Sequence, residues 1–310
     1  MKRLLCRGVR MESAAPVARA ARHARAAMIA GAVMAAWLFS SSLLYAQAPA
    51  AQPPEAQTSA PATNPAPPAS PEPNVAVPAP SAGACEVPSD LMILDSHLDR
   101  VKAAIKSNQR LDILVVGSAS STLPGNENVA LAYPARLEYI IKSRVPTLAV
   151  SVTPQILLRR NTKDVAMQLK SLISDKKPTL VIWQTGTVDA MRNVDPDVFR
   201  EALAGGVDAV RAANADVVLM NMQYSPRTET VLALNTYMDV MRLVSQQMDV
   251  PLFDRFGIMR YWADTRQFDL YARARGMNLA RRVHECIARA LATFIFQAAD
   301  VQMRDGKVQN

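Results

Sequence analysis

The feature that most constrains the fold is a regular alternation, after residue 85, of short apolar runs with longer amphipathic stretches. The apolar runs have the composition of strands and occur at LDILVV (111–116), TLAVSV (147–152), TLVIWQ (179–184), DVVLMN (216–221) and VPLF (250–253). Uninterrupted apolar strands are typical of parallel sheets, which are covered on both faces. The alternation therefore predicts a single α/β domain of three layers (α/β/α) with about five parallel strands.

The amphipathic stretches predict helices, several of which have recognisable starts. Apolar residues at three- and four-residue spacing predict a first helix over 89–107. Pro134 suits the first turn of the next helix, and Asp195 followed by proline caps a later one. Further helices are predicted over 228–247 and near the carboxyl terminus. Right-handed crossovers then place the loops after the strands along one edge of the sheet, where open α/β folds bind ligands.

Residues 1–46 have the composition of an export signal. Seven basic residues and one acid precede an uncharged apolar stretch, 26–46. Relative to a cleavage point at the end of this stretch, the residue at −3 is apolar and the residue at −1 is small. This pattern predicts cleavage after Ala46 and a periplasmic or extracellular location. An uncleaved membrane anchor is the alternative, because 21 residues are enough to span a bilayer. The leader carries +6 of the formal charge of +8, so the remainder of the chain does not favour nucleic acid as a partner.

Residues 47–84 predict a tether rather than a domain. They contain eleven of the twenty-one prolines and almost no large apolar side chain. Such a segment cannot bury enough surface to offset its ordering entropy, and it favours extended polyproline geometry. The folded domain is therefore predicted over residues 85–310.

Two cysteines remain once the leader is removed, because Cys6 lies within it. Cys85 begins the predicted domain and Cys286 lies near its end. In an oxidising compartment such a pair is expected to form a disulfide, and two separately buried thiols are the alternative. A bridge that closes a loop of about 200 residues contributes up to about 5 kcal/mol in the chain-entropy model.

Small and hydroxyl-bearing residues follow two of the predicted strands at the ligand edge. The segment LDILVVGSASST resembles the first block of the SGNH/GDSL hydrolase family, and LVIWQTGTVDA resembles its third block. Asp269-x-x-Ala272 occupies the place of the family's Asp-x-x-His motif. The resemblance covers about residues 111–295 and implies a flavodoxin-like fold and a serine esterase activity.

This sequence has the family's residue at some functional positions and a different residue at others. The positions that match are Gly117, Gly186, Asp189 and Asp269, the first three in the edge loops that form the oxyanion site. In the direct register, Ala119 falls on the nucleophile, Val188 replaces the asparagine oxyanion donor, and Ala272 replaces the general-base histidine. Alanine has no group that attacks a carbonyl, so the usual chemistry would need other residues.

A shifted alignment of the first block with the family motif provides a candidate nucleophile. One inserted position brings Ser120, or alternatively Ser118, to the place of the nucleophile. His97 and His284 are the imidazoles left after the leader is removed, and His97 is interpreted as a surface residue of the first helix. A triad of one serine, His284 and Asp269 is one hypothesis. The alternative interpretation of His284 is a satisfied, partly buried helix residue.

Arginine recurs in the predicted edge loops, at Arg159, Arg160, Arg192, Arg227 and Arg255. Converging guanidinium groups hold a carboxylate or phosphate through paired hydrogen bonds. Arg192 and Arg227, together with Tyr224, are therefore candidate ligand-binding residues. The alternative is that each arginine pairs with a nearby acid. The acids in question are Asp164, Asp195, Glu229 and Asp254.

No His, Cys and carboxylate spacing predicts a metal site, and no glycine-rich nucleotide motif is present, so no cofactor is expected. Two functions remain. The first is an exported serine hydrolase that cleaves an acyl or O-acetyl ester, for which the resemblance implies an envelope carbohydrate as substrate. The second is a catalytically inactive domain of the same fold that binds an anionic small molecule or envelope ligand. Membrane contact is expected only through an uncleaved leader.

Overall fold

The computed structural model describes residues 85–271, 277–304 and 307–308. Its main strands are β1 (Leu111–Gly117), β2 (Val150–Ile156), β3 (Leu180–Gln184), β4 (Asp216–Met220) and β5 (Leu252–Phe253). They form one parallel sheet in the order β2-β1-β3-β4-β5. The short strands β6 (Met303–Arg304) and β7 (Lys307–Val308) pair antiparallel near the carboxyl terminus. The predicted sheet of five parallel strands is confirmed.

Helices cover both faces of this sheet. Within the described residues they are α1 (Asp99–Lys106), α2 (Tyr133–Arg144), α3 (Thr162–Lys176), α4 (Thr187–Met191), α5 (Pro196–Ala212), α6 (Pro226–Glu229), α7 (Leu234–Met248), α8 (Arg255–Asp264) and α9 (Asn278–Ala298). One layer contains α3, α5 and α7, with α5 packed against the other two. The other contains α2 packed against α9, so the predicted three-layer arrangement is confirmed.

The central strands are enclosed on both faces, which explains their continuous apolar sequence. All five residues of β3 are buried, and β1 is buried except for Asp112, which is partly exposed. Among the described strands, the edge strand β2 pairs with β1 alone, and it contains Pro154. Proline is tolerated there because one side of an edge strand makes no hydrogen bonds within the sheet.

Two predicted helix starts are confirmed. Pro134 lies in the first turn of α2. The side chain of Asp195 accepts a hydrogen bond from the amide of Asp197 at 2.8 Å and caps α5. Proline suits a first turn because it lacks an amide hydrogen that would have no helical partner there.

The predicted helix over 89–107 is wrong in its first half. Residues Ser89–Leu91 form a short 3-10 turn, and the regular helix α1 begins only at Asp99. Its start is fixed by Asp216, whose carboxylate accepts from the amides of Arg100 and Val101, both at 2.9 Å. A cap contributed from β4, far along the chain, thus decides where this helix begins.

Two other boundaries also differ from the prediction. The strand predicted over 147–152 lies at Val150–Ile156, because Leu148 is buried in the turn after α2, where its amide donates to Val145. The helix predicted over 228–247 is divided into α6 and α7 by residues 230–233. Val231 is exposed in that interruption, so the apolar stripe does not continue through it.

A disulfide joins Cys85 to Cys286 in α9, with their Cα atoms 4.9 Å apart. Beside it, the indole nitrogen of Trp262 donates to the carbonyl of Glu86 at 2.8 Å. The start of the domain is therefore fixed to its last helix. The leader predicted over 1–46 and the tether predicted over 47–84 lie outside the described residues. Within the described part of the chain, no helix has both the length and the apolarity needed to cross a membrane.

Adjacent glycines in α5 provide a test of how closely the helix approaches the sheet. A Cβ at Gly206 would collide with the ring of Trp183 in β3, whereas a Cβ at Gly205 would meet no atom within 4 Å. We expect Gly206→Ala to lower the free energy of unfolding by about 1–3 kcal/mol through overpacking. Gly205→Ala is expected to raise it by up to about 1 kcal/mol, because alanine favours the helix. Urea denaturation of both variants measures the difference, and equal effects would contradict this close approach.

Candidate functional site

The candidate site is a cleft at the carboxyl ends of β1, β3 and β4. It encloses about 490 Å³, a volume typical of small-molecule sites. Ser118 and Ser120 form part of its wall. Much of the remaining surface is apolar and comes from Val188, Met191, Met222 and Leu234.

The serine-rich turn after β1 is held in a compact conformation. Residues Ala119–Ser121 form one turn of 3-10 helix directly behind Ser118. A Cβ on Gly117 would lie only 2.8 Å from the Cβ of Ser121, so the turn requires glycine at this point. Ser121 is fully buried, whereas Ser118 and Ser120 line the cleft.

The side-chain oxygen of Gln184, the last residue of β3, organises this turn. It accepts hydrogen bonds from the amide of Ser118 at 3.1 Å and from the hydroxyl of Ser121 at 2.9 Å. The hydroxyls of Ser118 and Ser120 lie 3.2 and 3.5 Å from the same oxygen. These two hydroxyls therefore lie beside an acceptor whose two lone pairs already receive the Ser118 amide and the Ser121 hydroxyl.

Arg255, the first residue of α8, lies behind the same turn and is fully buried. Its guanidinium donates to the hydroxyl of Ser120 at 3.3 Å, to the carbonyl of Ser120 at 3.0 Å and to the side chain of Gln223 at 3.0 Å. It also lies over the ring of Tyr133. Burial lowers the pKa of Arg255 to about 10, so the group is cationic at neutral pH. Within the described residues, no carboxylate forms an ion pair with it.

His284, in α9, is buried and held by the main chain. Its Nδ1 accepts a hydrogen bond from the amide of Tyr133 at 3.0 Å. Burial, and secondarily the positive charge of Arg255, lower the pKa of His284 to about 3. The imidazole is therefore neutral at pH 7, and its hydrogen must be on Nε2 because Nδ1 is the acceptor.

Within the described part of the chain, neither candidate serine is hydrogen-bonded to His284. Among the described residues, the contacts of Ser118 and Ser120 are made with Gln184 and Arg255, and none joins either serine to His284. Asp269 is exposed, and its carboxylate accepts from the amide of Tyr271 at 3.2 Å. Ala272, at the position of the family's histidine, lies outside the described residues.

Asp189 connects the loop after β3 to the start of α3. It is buried, and its carboxylate accepts from the amide of Thr162 at 3.0 Å and from its hydroxyl at 2.8 Å. Burial raises the pKa of Asp189, and the bonds from Thr162 partly oppose that rise. Gly186, which precedes this loop's helix, has a φ of +98°, and a Cβ there would lie 2.6 Å from the sulfur of Met222. Both residues therefore shape the edge loop.

The edge arginines separate into different environments. Arg159 and Arg192 line the cleft, and Arg192 donates to the carbonyl of Arg159 at 3.0 Å. Arg160 lines a small recess beside the cleft, whereas Arg227 is exposed and does not line it. Among the described residues, none of these four forms an ion pair with an acid.

Tyr224 is buried behind the cleft rather than within it. Its ring meets Phe256 edge-on, and its hydroxyl lies 3.4 Å from that of Tyr271. Burial raises the pKa of Tyr224, so the phenol is neutral at physiological pH. The side chain thus supports the loop after β4.

Sequence reasoning missed Gln184 and Tyr133 as organising residues. One signal for Gln184 was present, because it is the only polar residue in the run LVIWQ. Tyr133 had no comparable signal, since its partners Ser121 and His284 come from other elements. For metals, the described residues contain no group of three His, Cys, Asp or Glu side chains that is able to hold an ion.

The buried histidine predicts a defined dependence of stability on pH. The unfolded imidazole has a pKa of about 6.5, so as the pH falls the unfolded chain takes up this proton first. Between about pH 6.5 and 3 the free energy of unfolding should therefore decrease by up to about 1.4 kcal/mol per pH unit from this group. His284→Gln, which keeps an acceptor for the Tyr133 amide, should lessen that decrease. Urea denaturation at several pH values tests this, and parallel curves for the two proteins would contradict it.

Three solved structures to which this chain is similar are esterases of low sequence identity. A two-domain esterase (CEX) active on acetylated mannans superposes with a TM-score of 0.54 at 14% identity, over 70% of this chain and 57% of that chain. A point mutant of Axe2, an acetyl-xylooligosaccharide esterase from Geobacillus stearothermophilus, gives 0.51 at 14%, over 63% and 97%. The acetyl xylan esterase AlAXEase gives 0.50 at 14%, over 59% and 98%. At such identities the likeness establishes the fold alone.

Among proteins of curated function, none matches the chain. A family profile, in contrast, matches residues 84–301, which is more than half of the chain. The domain has the SGNH hydrolase fold that the first and third sequence blocks implied. This protein therefore belongs to the Non-GDSL lipase-like family.

Proposed function

We propose that this domain is a non-catalytic member of its family that binds an anionic ligand in the edge cleft. The observation that carries the proposal is the hydrogen bond from the Tyr133 amide to Nδ1 of His284. A neutral imidazole has one acceptor nitrogen, and here the main chain occupies it. His284 therefore has no free lone pair with which to take a proton from a serine.

The serine-rich turn supports the same conclusion. A serine nucleophile is activated when an adjacent base accepts its proton. Ser118 and Ser120 instead lie within hydrogen-bond distance of the Gln184 oxygen, which is not a base. Val188, at the position of the third-block asparagine, has no side-chain hydrogen-bond donor. The loss of one oxyanion donor raises the activation free energy of acyl transfer by about 3 kcal/mol.

The charge around the cleft supports an anionic ligand. Arg255 is cationic and buried immediately behind Ser120 and Gln223, both of which line the cleft. A buried charge without a counter-ion is costly, so an anion in the cleft would offset part of that cost. Arg159 and Arg192 add two further positive charges at the same opening.

A slow ester hydrolase is the second candidate function. One observation favours it: the guanidinium of Arg255 lies 3.3 Å from the hydroxyl of Ser120, and a neighbouring cation stabilises an alkoxide. The esterases that share the fold suggest an acyl or O-acetyl ester as the substrate. The base would still have to be supplied by a residue other than His284.

The cellular setting of the ligand is also part of the proposal. The leader and the proline-rich segment support export, and the disulfide between Cys85 and Cys286 suits an oxidising compartment. We therefore place the ligand in the cell envelope or outside the cell.

A serine-directed probe distinguishes binding from hydrolysis. The purified protein is incubated with a fluorophosphonate and, separately, with p-nitrophenyl acetate and butyrate, beside an active esterase of this fold as the positive control. We expect neither labelling nor turnover above that of a Ser118→Ala/Ser120→Ala double variant. Labelling of the wild type that disappears in Ser120→Ala or Ser118→Ala would establish the hydrolase instead.

A further inference from the structure

A second groove lies between the first residues of the domain and the last helix. It is lined by Cys85 and Glu86 of the entry segment, by Arg144 at the end of α2, and by Arg289 and Thr293 of α9. Its volume is about 700 Å³, and among the described residues it shares none with the edge cleft. We call it the entry groove, because the disulfide of Cys85 joins the start of the domain to α9 there.

Arg144 is a partly buried cation that uses few of its hydrogen-bond donors. One guanidinium nitrogen donates to the hydroxyl of Thr293 at 3.1 Å, and the group lies over the ring of Phe296. Within the described part of the chain, Arg144 forms no other hydrogen bond and no ion pair. None of its other nitrogens is buried without a partner, so these donors are accessible. They are therefore available to an anion in the groove.

Arg289 brings a second positive charge to the same groove. The hydroxyl of Thr293, which accepts from Arg144, donates to the carbonyl of Arg289 at 3.1 Å, so one residue connects the two arginines. Burial lowers the pKa of Arg144, and the charge of Arg289 lowers it further. The two cations are thus close enough to repel each other. An anion bound between them would offset that repulsion.

The nearby carboxylates do not neutralise this pair. Glu285 accepts from Arg289 at 2.9 Å, but it is shared with Arg136. Glu86 is exposed at the groove and, within the described residues, forms no ion pair. The arginines outnumber the carboxylates here, so the groove has an excess of positive charge.

The groove favours an anion that carries more than one charge. Guanidinium groups bind carboxylates and phosphates through paired hydrogen bonds. A carboxylate has a single charge, whereas a phosphate monoester has a charge of about −1.5 to −2 at pH 7 and three strong acceptor oxygens. Two arginines from different helices are therefore compensated better by the phosphate than by a carboxylate.

We propose that the entry groove binds a phosphate monoester between Arg144 and Arg289. The phosphate oxygens accept from the two guanidinium groups, and Thr293 holds Arg144 in position. The phosphate belongs either to a soluble ester or to a lipid headgroup, since both present the same oxygens. This site is independent of the function proposed for the edge cleft.

Titration calorimetry with glycerol 3-phosphate at low ionic strength tests the proposal on the purified protein. We expect saturable binding that is weakened by about tenfold or more in Arg289→Gln, because hydrogen bonds to charged groups are strong. Arg144→Gln should have a similar effect. Acetate, which has one charge, should bind more weakly than glycerol 3-phosphate by about tenfold or more.

Two further variants distinguish a local effect from a general one. Arg260→Gln is the matched control, because the side chain of Arg260 is 54% exposed against 52% for Arg289 and also pairs with an acid four residues away. Arg260 does not line the groove, so this variant should bind as the wild type does. Glu86→Gln removes an opposing charge and should strengthen binding by about threefold. A damaged fold does not produce such a gain.

Three results would overturn the phosphate site. The first is the absence of saturable binding, and the second is binding that both Arg144→Gln and Arg289→Gln retain. The third is loss of binding in Arg192→Gln, which would place the phosphate in the edge cleft. Serine-dependent fluorophosphonate labelling concerns the edge cleft alone, so the two proposals fail separately.

Vesicles distinguish the two sources of the phosphate. Flotation of the protein is measured with phosphatidylcholine vesicles and with vesicles that also contain phosphatidic acid, whose headgroup is a phosphate monoester. Flotation that requires phosphatidic acid and is lost in Arg289→Gln assigns the site to a lipid headgroup. If glycerol 3-phosphate binds but the protein does not float, or floats equally as Arg289→Gln, the ligand is a soluble ester.

Discussion

Gln184 ends the central strand β3, and its side-chain oxygen accepts hydrogen bonds from the serine-rich turn that follows β1. The same network continues through Ser121 to the hydroxyl of Tyr133, and the amide of Tyr133 then holds His284. One chain of polar contacts thus connects β3, β1, α2 and α9 at the ligand edge. Because these groups are buried, each contact constrains the next one strongly. In this protein the serines and the histidine are members of a structural network.

The fold follows from local patterns to a large extent. Apolar runs without alternation predicted the parallel sheet, and proline and aspartate at first-turn positions predicted the starts of α2 and α5. The errors arose where a distant residue decides the local structure. The start of α1 depends on Asp216, which lies more than one hundred residues away in the sequence. No periodicity within 89–107 contains that information.

The candidate site was predictable in position but less so in its contacts. Gly117, Gly186 and the serines were identified because they follow strands at one sheet edge. The bond between Arg255 and Ser120 spans 135 residues, and the bond between Tyr133 and His284 spans 151. Such pairs depend on how the layers pack, which a single sequence does not specify. The pairing of Cys85 with Cys286 was easier, since two thiols have one way to combine.

The disulfide has a mechanical consequence for a domain that follows a long proline-rich segment. Cys85 is bonded to α9, the longest helix of the described residues, which packs against α2. A pulling force applied ahead of Cys85 would pass through the sulfur bridge into this helix. The irregular segment up to α1 would carry little of the load, because the bridge bypasses it. The force therefore acts on a helix that is packed into the domain. Tension on the amino terminus would not unfold the domain progressively from that end.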